Sequence, residues 1–351
     1  MAYQYVKTLS DLKKAISTIC KGIYESKLIA VGFQGDNISR TGSISVLTIA
    51  TRTDVFIFDI LELGSAVFDK GISFFLKNES ITKIVFDCRE PADSLLHVHG
   101  VLLTSAYDIQ LLQCIDKIDG IRSRYGKLER RRRVDEVIEI KSLMTTIQFY
   151  VGTNLKFRKM EDVSIKLKSM KNVWSMRPIN EDTFSFLAYT MTSLYMIYCS
   201  HRTWTINMSR LKVASAIYCN TKRAMRERSF DPYEVNQFLP IDIIPDNGML
   251  FFEKGNKPCT GCKRRFPINE FSKKDLRGCE QKCRVCKIVK INVAIDGNSM
   301  KQKKSTKRRH NRKKSRKGRS KRKRNLKYNF DLGENETSIH EEELKNREIL
   351  L

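Results

Sequence analysis

The chain has 351 residues, 41% of them hydrophobic, and a formal net charge of +26. That is enough apolar material for a core and, as a prior, about two or three domains. No apolar run approaches the ~20 residues of a membrane span, and Met1–Lys7 lacks the apolar centre of a signal peptide, so a soluble, intracellular protein is expected. The charge is uneven: Lys301–Lys327 holds 17 Lys and Arg and no Asp or Glu, leaving 26 − 17 = +9 for the rest. A polyanionic partner is the natural inference, although a solvated tail serving solubility or import would have the same composition.

In chain order, residues 8 to 25 predict an amphipathic helix. Leu12, Ala15, Ile16, Ile19 and Ile23 fall at spacings of three and four behind a Ser10 cap. Three strands are expected next, at Leu28–Phe33, Ser45–Ala50 and Val55–Ile60, with links short enough for antiparallel hairpins. A helix over Ala66–Leu76, a strand at Lys83–Asp87, a helix from Glu90-Pro91 and a strand at Ser105–Asp108 leading into another helix follow. Residues 136 to 230 read as mostly helical. Three hairpin strands followed by alternating helix and strand is the order of an RNase H-like mixed α/β sheet with flanking helices, not of a Rossmann fold. The expected division is a body over 1–230, a connector over 231–254, a small cysteine module over 255–292, and a disordered basic tail over 293–351 that ends in a short acidic segment.

Of the 10 cysteines, five crowd between Cys259 and Cys286. Cys259-Thr260-Gly261-Cys262 and Cys283-Arg284-Val285-Cys286 form two C-x₂-C turns with 20 residues between them. Each turn can present two thiolates to one ion, so Cys259, Cys262, Cys283 and Cys286 predict a structural Zn²⁺ in a zinc ribbon, with no open position for catalysis. Cys279 is a spare. Phe266 and Phe271 suit the core of such a small module better than a stacking surface.

Several segments resemble the DEDD 3′–5′ exonuclease superfamily of ribonuclease D, and within it the branch containing Egalitarian and the exonuclease-domain adaptor of the piRNA pathway. They are Ile29-Ala30-Val31-Gly32-Phe33-Gln34, Phe58-Asp59-Ile60-Leu61-Glu62-Leu63-Gly64, Phe86-Asp87-Cys88-Arg89-Glu90-Pro91-Ala92-Asp93-Ser94-Leu95, Tyr107-Asp108-Ile109-Gln110 and Trp174-Ser175-Met176-Arg177-Pro178. The resemblance runs over residues 8 to 200. It implies a sheet of that type and, in active members, four carboxylates holding two divalent metals ~3.5–4 Å apart. In this sequence Gly32 and Gln34 stand at the Asp-x-Glu positions of the first strand. Asp93 matches the second acid and Asp108 the Asp of an Asp-Thr-Gln-like segment. Tyr189-Thr190-Met191-Thr192-Ser193 offers Ser193 where the last acid belongs. The expectation is a non-enzyme without catalytic Mg²⁺. Asp36 is a candidate substitute ligand, and ordinary capping is the alternative role of Asp93 and Asp108.

The basic residues Arg122, Arg124, Lys127, Arg130, Arg131, Arg132 and Arg133 are candidate phosphate contacts, as are Lys307, Arg308, Arg309, Lys321, Arg322, Lys323 and Arg324 in the tail. A second basic stretch is Lys156, Arg158, Lys159, Lys166 and Lys168. By resemblance, the expected role is an RNA-binding adaptor in germline piRNA or other small-RNA biogenesis. It would have a protein partner in that complex, could form a homodimer, and would sit in cytoplasmic perinuclear granules; the basic tail makes the nucleus the alternative. The rival functions are an active metal-dependent exoribonuclease with unconventional ligands and a nuclear DNA- or chromatin-binding zinc protein.

Overall fold

The computed structural model describes residues 3–124, 137–202, 205–224, 238, 243–245, 255–266, 268, 271, 273–278 and 281–289. Its centre is a six-stranded mixed sheet made of β1 (Gln4–Val6), β2 (Leu28–Gln34), β3 (Val46–Ala50), β4 (Val55–Asp59), β5 (Thr82–Val85) and β6 (Ala106–Asp108), in the order β1-β4-β3-β2-β5-β6. The expected hairpins form: β3 runs antiparallel to both β2 and β4. β5 and β6 extend the sheet parallel to β2. The edge strand β1, three residues long, pairs parallel with β4 and has no counterpart in the sequence reading.

Helix α1 (Leu9–Gly22) begins at Thr8, whose side chain accepts from Asp11 N, so Thr8 and not Ser10 is its cap. A one-turn helix α2 (Ile60–Leu63) follows β4 directly. The helix expected over 66–76 is divided. A π-type turn over Phe68–Ile72, with Gly71 at φ 139°, precedes α3 (Ser73–Lys77). Ile16 of α1 would lie 2.8 Å from a Cβ at Gly71, so both the backbone angle and the close packing require glycine there. Then come α4 (Arg89–His99), α5 (Ile109–Arg124), α6 (Leu143–Val151), α7 (Leu155–Ser169), α8 (Glu181–His201) and α9 (Thr205–Arg223). α8 lies across β2, β3 and β4, while α9 packs on α4, α5 and β6. One continuous apolar core joins sheet and helices. No described helix is long and apolar enough to cross a membrane.

The Asp87-Cys88-Arg89 run is the joint between β5 and α4. Asp87 adopts φ 49°, and its carboxylate takes both Nε and Nη2 of Arg89 at 2.7 Å. Asp108 closes the same joint from the end of β6. Its fully buried carboxylate accepts from the backbone N–H of Asp87, Cys88 and Gln110. Burial, and then the charge of Asp87, pushes its pKa up to about 6 despite these donors. Asp108 therefore caps a strand end and a helix start, the alternative that the sequence had offered.

Lys83 is the unusual residue of the sheet. It is 0% exposed, and its ammonium donates to Asn78 O at 2.7 Å and Thr104 Oγ1 at 3.4 Å. Burial lowers its pKa to about 8. The unfolded chain holds that proton up to roughly pH 10.4, so it binds more protons than the folded chain above pH 8 and stability should rise through that window. At neutral pH the buried charge is a liability. Lys83→Met is expected to raise stability at pH 7 by about 1–3 kcal/mol and to show a smaller gain at pH 10. Urea unfolding at the two pH values checks this, and a gain at pH 7 no larger than the gain at pH 10 would contradict it.

The chain divides into two units, Met1–Lys290 and Ile291–Leu351. The second unit lies outside the described residues, and with it the tail positions Lys307, Arg308, Arg309, Lys321, Arg322, Lys323 and Arg324. Nearly all of the expected connector, Cys279, Lys127 and Arg130 to Arg133 lie outside them too. Arg122 and Arg124 fall in the last turn of α5.

Candidate nucleic-acid interface and metal centre

Alternate residues of a strand share a face, so Gly32 and Gln34 of β2 point the same way, toward α8. A Cβ placed on Gly32 would lie 2.7 Å from Met191 Sδ and 2.8 Å from Met191 Cε, with Gln34 Nε2 at 3.4 Å. The thioether of Met191 thus fills the space into which an aspartate at position 32 would project. Met191 is itself buried in the middle of α8. Of the last-motif run, Met191 meets Gly32. Ser193 is also buried on α8 but lies about 200° further round the helix, since each residue turns about 100°.

Asp93 is held elsewhere. It sits within α4, and its carboxylate accepts from Arg40 three ways: from the backbone N at 2.9 Å, from Nη2 at 2.7 Å and from Nε at 3.1 Å. Arg40 Nη2 also donates to Lys222 O at the end of α9. Nε2 of His97, one turn on, stands 3.7 Å from the same carboxylate. An arginine therefore occupies the position beside Asp93 where a cation would bind. Asp36, the candidate substitute ligand, accepts from Trp174 N at 3.1 Å and from the Ser175 hydroxyl. It pins the loop between α7 and α8.

That loop has a second anchor. Arg177 donates through Nη2 to Asp59 Oδ1 at 2.7 Å and through Nε to Oδ2, and through Nη1 to the carbonyls of Trp174 and Met176. Asp59 is 0% exposed at the end of β4 and also receives the Tyr5 hydroxyl and the N–H groups of Leu61 and Glu62. Burial alone would raise its pKa, but Arg177 and Tyr5 hold it below the usual carboxylate value. The resemblance segments Phe58–Gly64 and Trp174–Pro178 are thus two halves of one ion-paired joint. Neither Met191 nor Arg40 had a signal in the sequence, because each acts through a partner at least 53 residues away.

The four cysteines converge. Cys259, Cys262, Cys283 and Cys286 are buried, and their sulfurs lie within 4.8 Å of one another. A zinc–sulfur length of about 2.3 Å makes the edge of a tetrahedral site about 3.8 Å, so this donor set fits the ion. Two short strands, β7 (Lys257–Pro258) and β8 (Arg265–Phe266), and helix α10 (Lys273–Arg277) frame the site. Lys263, at φ 62°, turns the first C-x₂-C pair, donating its N–H to Cys259 O. Phe266 and Phe271 pack beside the cysteines as module core. Val137 and Phe238 from outside the module pack on the same cluster, and Glu139 forms an antiparallel bridge with Phe238. The module is therefore covered in part by Val137, an apolar residue that precedes it by more than 100 positions, which the sequence reading did not foresee.

The comparisons with known proteins agree with this fold. Over 75% of its length the chain superposes on 82% of Trypanosoma brucei ribonuclease D bound to GMP, with TM-score 0.54 and 17% identity. The fold is that of ribonuclease D. The complex of the same enzyme with RNA U12 gives TM-score 0.52 over 75% of this chain and 83% of that one. In sequence, the chain is 40% identical over 89 residues to piRNA biogenesis protein EXD1 of Xenopus laevis, covering 25% of this chain and 20% of that protein. It is 35% identical over 141 residues to the Mus musculus protein of that name, covering 34% of this chain and 25% of that one. An Egalitarian protein homolog from Caenorhabditis elegans is 23% identical over 182 residues, 51% of this chain and 29% of that protein. The chain spans less than a third of the length of these relatives. No family model matches it.

Proposed function

We propose that this chain is a catalytically inactive, ribonuclease D-like protein that binds RNA as an adaptor in a small-RNA pathway of the piRNA type. The pathway comes from its similarity to EXD1 and Egalitarian. RNA as ligand is supported by the basic composition and by a fold shared with an RNA-bound ribonuclease D. The observation that carries inactivity is the packing of Met191 against Gly32. Two-metal hydrolysis needs charged oxygens converging on both ions, and here a thioether and a carboxamide occupy the strand face that would supply the first two. Asp93 is neutralised by Arg40, so an ion there would first have to displace a guanidinium. In this reading Zn²⁺ on Cys259, Cys262, Cys283 and Cys286 is structural, its four thiolates leaving no open position. The basic residues Arg122, Arg124, Lys127, Arg130, Arg131, Arg132 and Arg133 and the tail lysines and arginines supply sequence-independent phosphate contacts.

Incubated with 3′-labelled or 5′-labelled single-stranded RNA, the full chain is expected to bind without shortening it in either Mg²⁺ or Mn²⁺. Progressive 3′ trimming that is abolished by Asp93→Asn would overturn the reading. Tighter binding to duplex DNA than to single-stranded RNA would instead favour a DNA-binding zinc protein.

A further inference from the structure

Helix α7 is amphipathic by construction. Asn154 caps it, accepting from Phe157 N at 2.8 Å, and Phe157, Met160, Val163, Ser164 and Leu167 turn into the core. The remaining face is open and basic: Lys156, Arg158, Lys159, Lys166 and Lys168 are exposed on it, and Lys171 follows at once. Only Glu161 and Asp162 oppose them within the helix.

Two contacts place this face in the fold. Lys156 Nζ lies 5.5 Å from the ring centroid of Tyr189, two residues before the Met191 that meets Gly32. Lys159 Nζ lies 3.4 Å from Asp182 at the start of α8, with side chains 66% and 56% exposed. So open an ion pair contributes little and yields readily to a phosphate. Lys156, Lys159 and Lys166 follow one flank of the helix at spacings of three and seven and cover about 15 Å of its axis. At the corner between α6 and α7, Phe149 is 62% exposed and Leu155 85% exposed. Phe149 stands on the preceding helix, seven residues before Lys156, with its ring edge-on to Tyr150 at 4.9 Å between centroids. Lysines that track a backbone together with an exposed aromatic ring are the combination that holds single-stranded nucleic acid without regard to sequence.

We propose that single-stranded RNA lies along this flank of α7, with phosphates on Lys156, Lys159 and Lys166 and a base against Phe149, entering beside the degenerate face of β2 and α8. The proposal rests on the RNA-binding reading and names the path within it. An acidic protein would use the same lysines but would have no need of the aromatic ring, so Phe149 separates the two.

The test uses the full chain. Lys156→Gln, Lys159→Gln and Lys166→Gln together should make the log–log salt dependence of RNA binding shallower by about 2, three contacts at roughly 0.7 each. These are surface changes, so the thermal midpoint should stay that of the parent. Phe149→Ala should weaken binding about 5- to 150-fold, the loss of one stacked base. Photo-crosslinking to uridine-rich RNA should label peptides within residues 149–171. If the parent binds RNA while the triple variant keeps its affinity and salt slope and 149–171 stays unlabelled, the path is wrong and the RNA-binding reading stands. A triple-variant effect with none from Phe149→Ala and no label would mean the flank serves an acidic partner, again overturning the proposal. A parent that binds no RNA overturns both.

Discussion

Replacing Cys283 and Cys286 with serine is expected to abolish zinc binding and unfold residues 255–289 while the sheet stays folded. The module is too small to hold together without a metal on its four cysteines. Phe266 and Phe271 and their few apolar neighbours form its whole core among the described residues, far less than a domain of that size needs to fold alone. Structural zinc in comparable peptides contributes about 10–16 kcal/mol of apparent binding free energy at neutral pH, so losing two thiolates should remove the folded state of the module and not merely loosen it. The effect should also reach Val137 and Phe238, whose apolar cover is the cysteine cluster. Metal analysis should fall from one zinc per chain to none. Hydrogen exchange should rise across 137–139 and 255–289 but stay slow in β2, β3 and β5. Unchanged zinc content in the double variant would show that other residues hold the metal.

The other large effect is expected at Arg177. Arg177→Ala strips Asp59 of its charged partner while leaving the carboxylate wholly buried. Breaking a buried pair in this way typically costs about 3–5 kcal/mol. The pH dependence should change as well. In the parent, Asp59 has a folded pKa below its unfolded value. Its contribution is therefore fully present above the unfolded pKa and is lost as pH falls through the folded one. Without Arg177, burial dominates and the carboxyl favours its neutral form, so the variant should lose less stability than the parent on going from pH 7 to pH 3. Denaturant unfolding at several pH values checks both statements. A loss below about 1 kcal/mol at pH 7, well short of the cost of a broken buried pair, would show that the loop between α7 and α8 is not held through this pair.

Features carried by neighbouring residues were readable from the chain. β2, β3 and β4 declare themselves as β-branched and aromatic runs broken by turn residues, and the two C-x₂-C pairs announce a common ion because each turn is local. The edge strand β1 was missed because three residues are too few to show a period. Thr8 displaced Ser10 as a cap because one residue in the start point of a helix leaves its apolar pattern unchanged. At the positions that the exonuclease resemblance picks out, the sequence alone could show only that Gly32, Gln34 and Ser193 are not acids. What stands beside these positions, the thioether of Met191 against Gly32 and the guanidinium of Arg40 on Asp93, depends on residues 159 and 53 positions apart, which only the fold brings together. Asp36 looked like a ligand candidate, and Asp108 like the Asp of a family motif with capping as its alternative, because a carboxylate near a strand end is equally suited to binding ions and to closing a turn. The hydrogen bonds decide for the turn.

The pairing of Arg40 with Asp93 has a consequence for how the protein responds to its surroundings. Where carboxylates face one another around exchangeable ions, the shape of the groove depends on the supply of those ions, and chelation or dilution lets like charges push it apart. A guanidinium tethered to the loop after β2 is a counter-ion whose local concentration is set by the chain and not by the medium. The junction of α4, α9 and that loop should therefore keep one geometry whether divalent ions are scarce or plentiful.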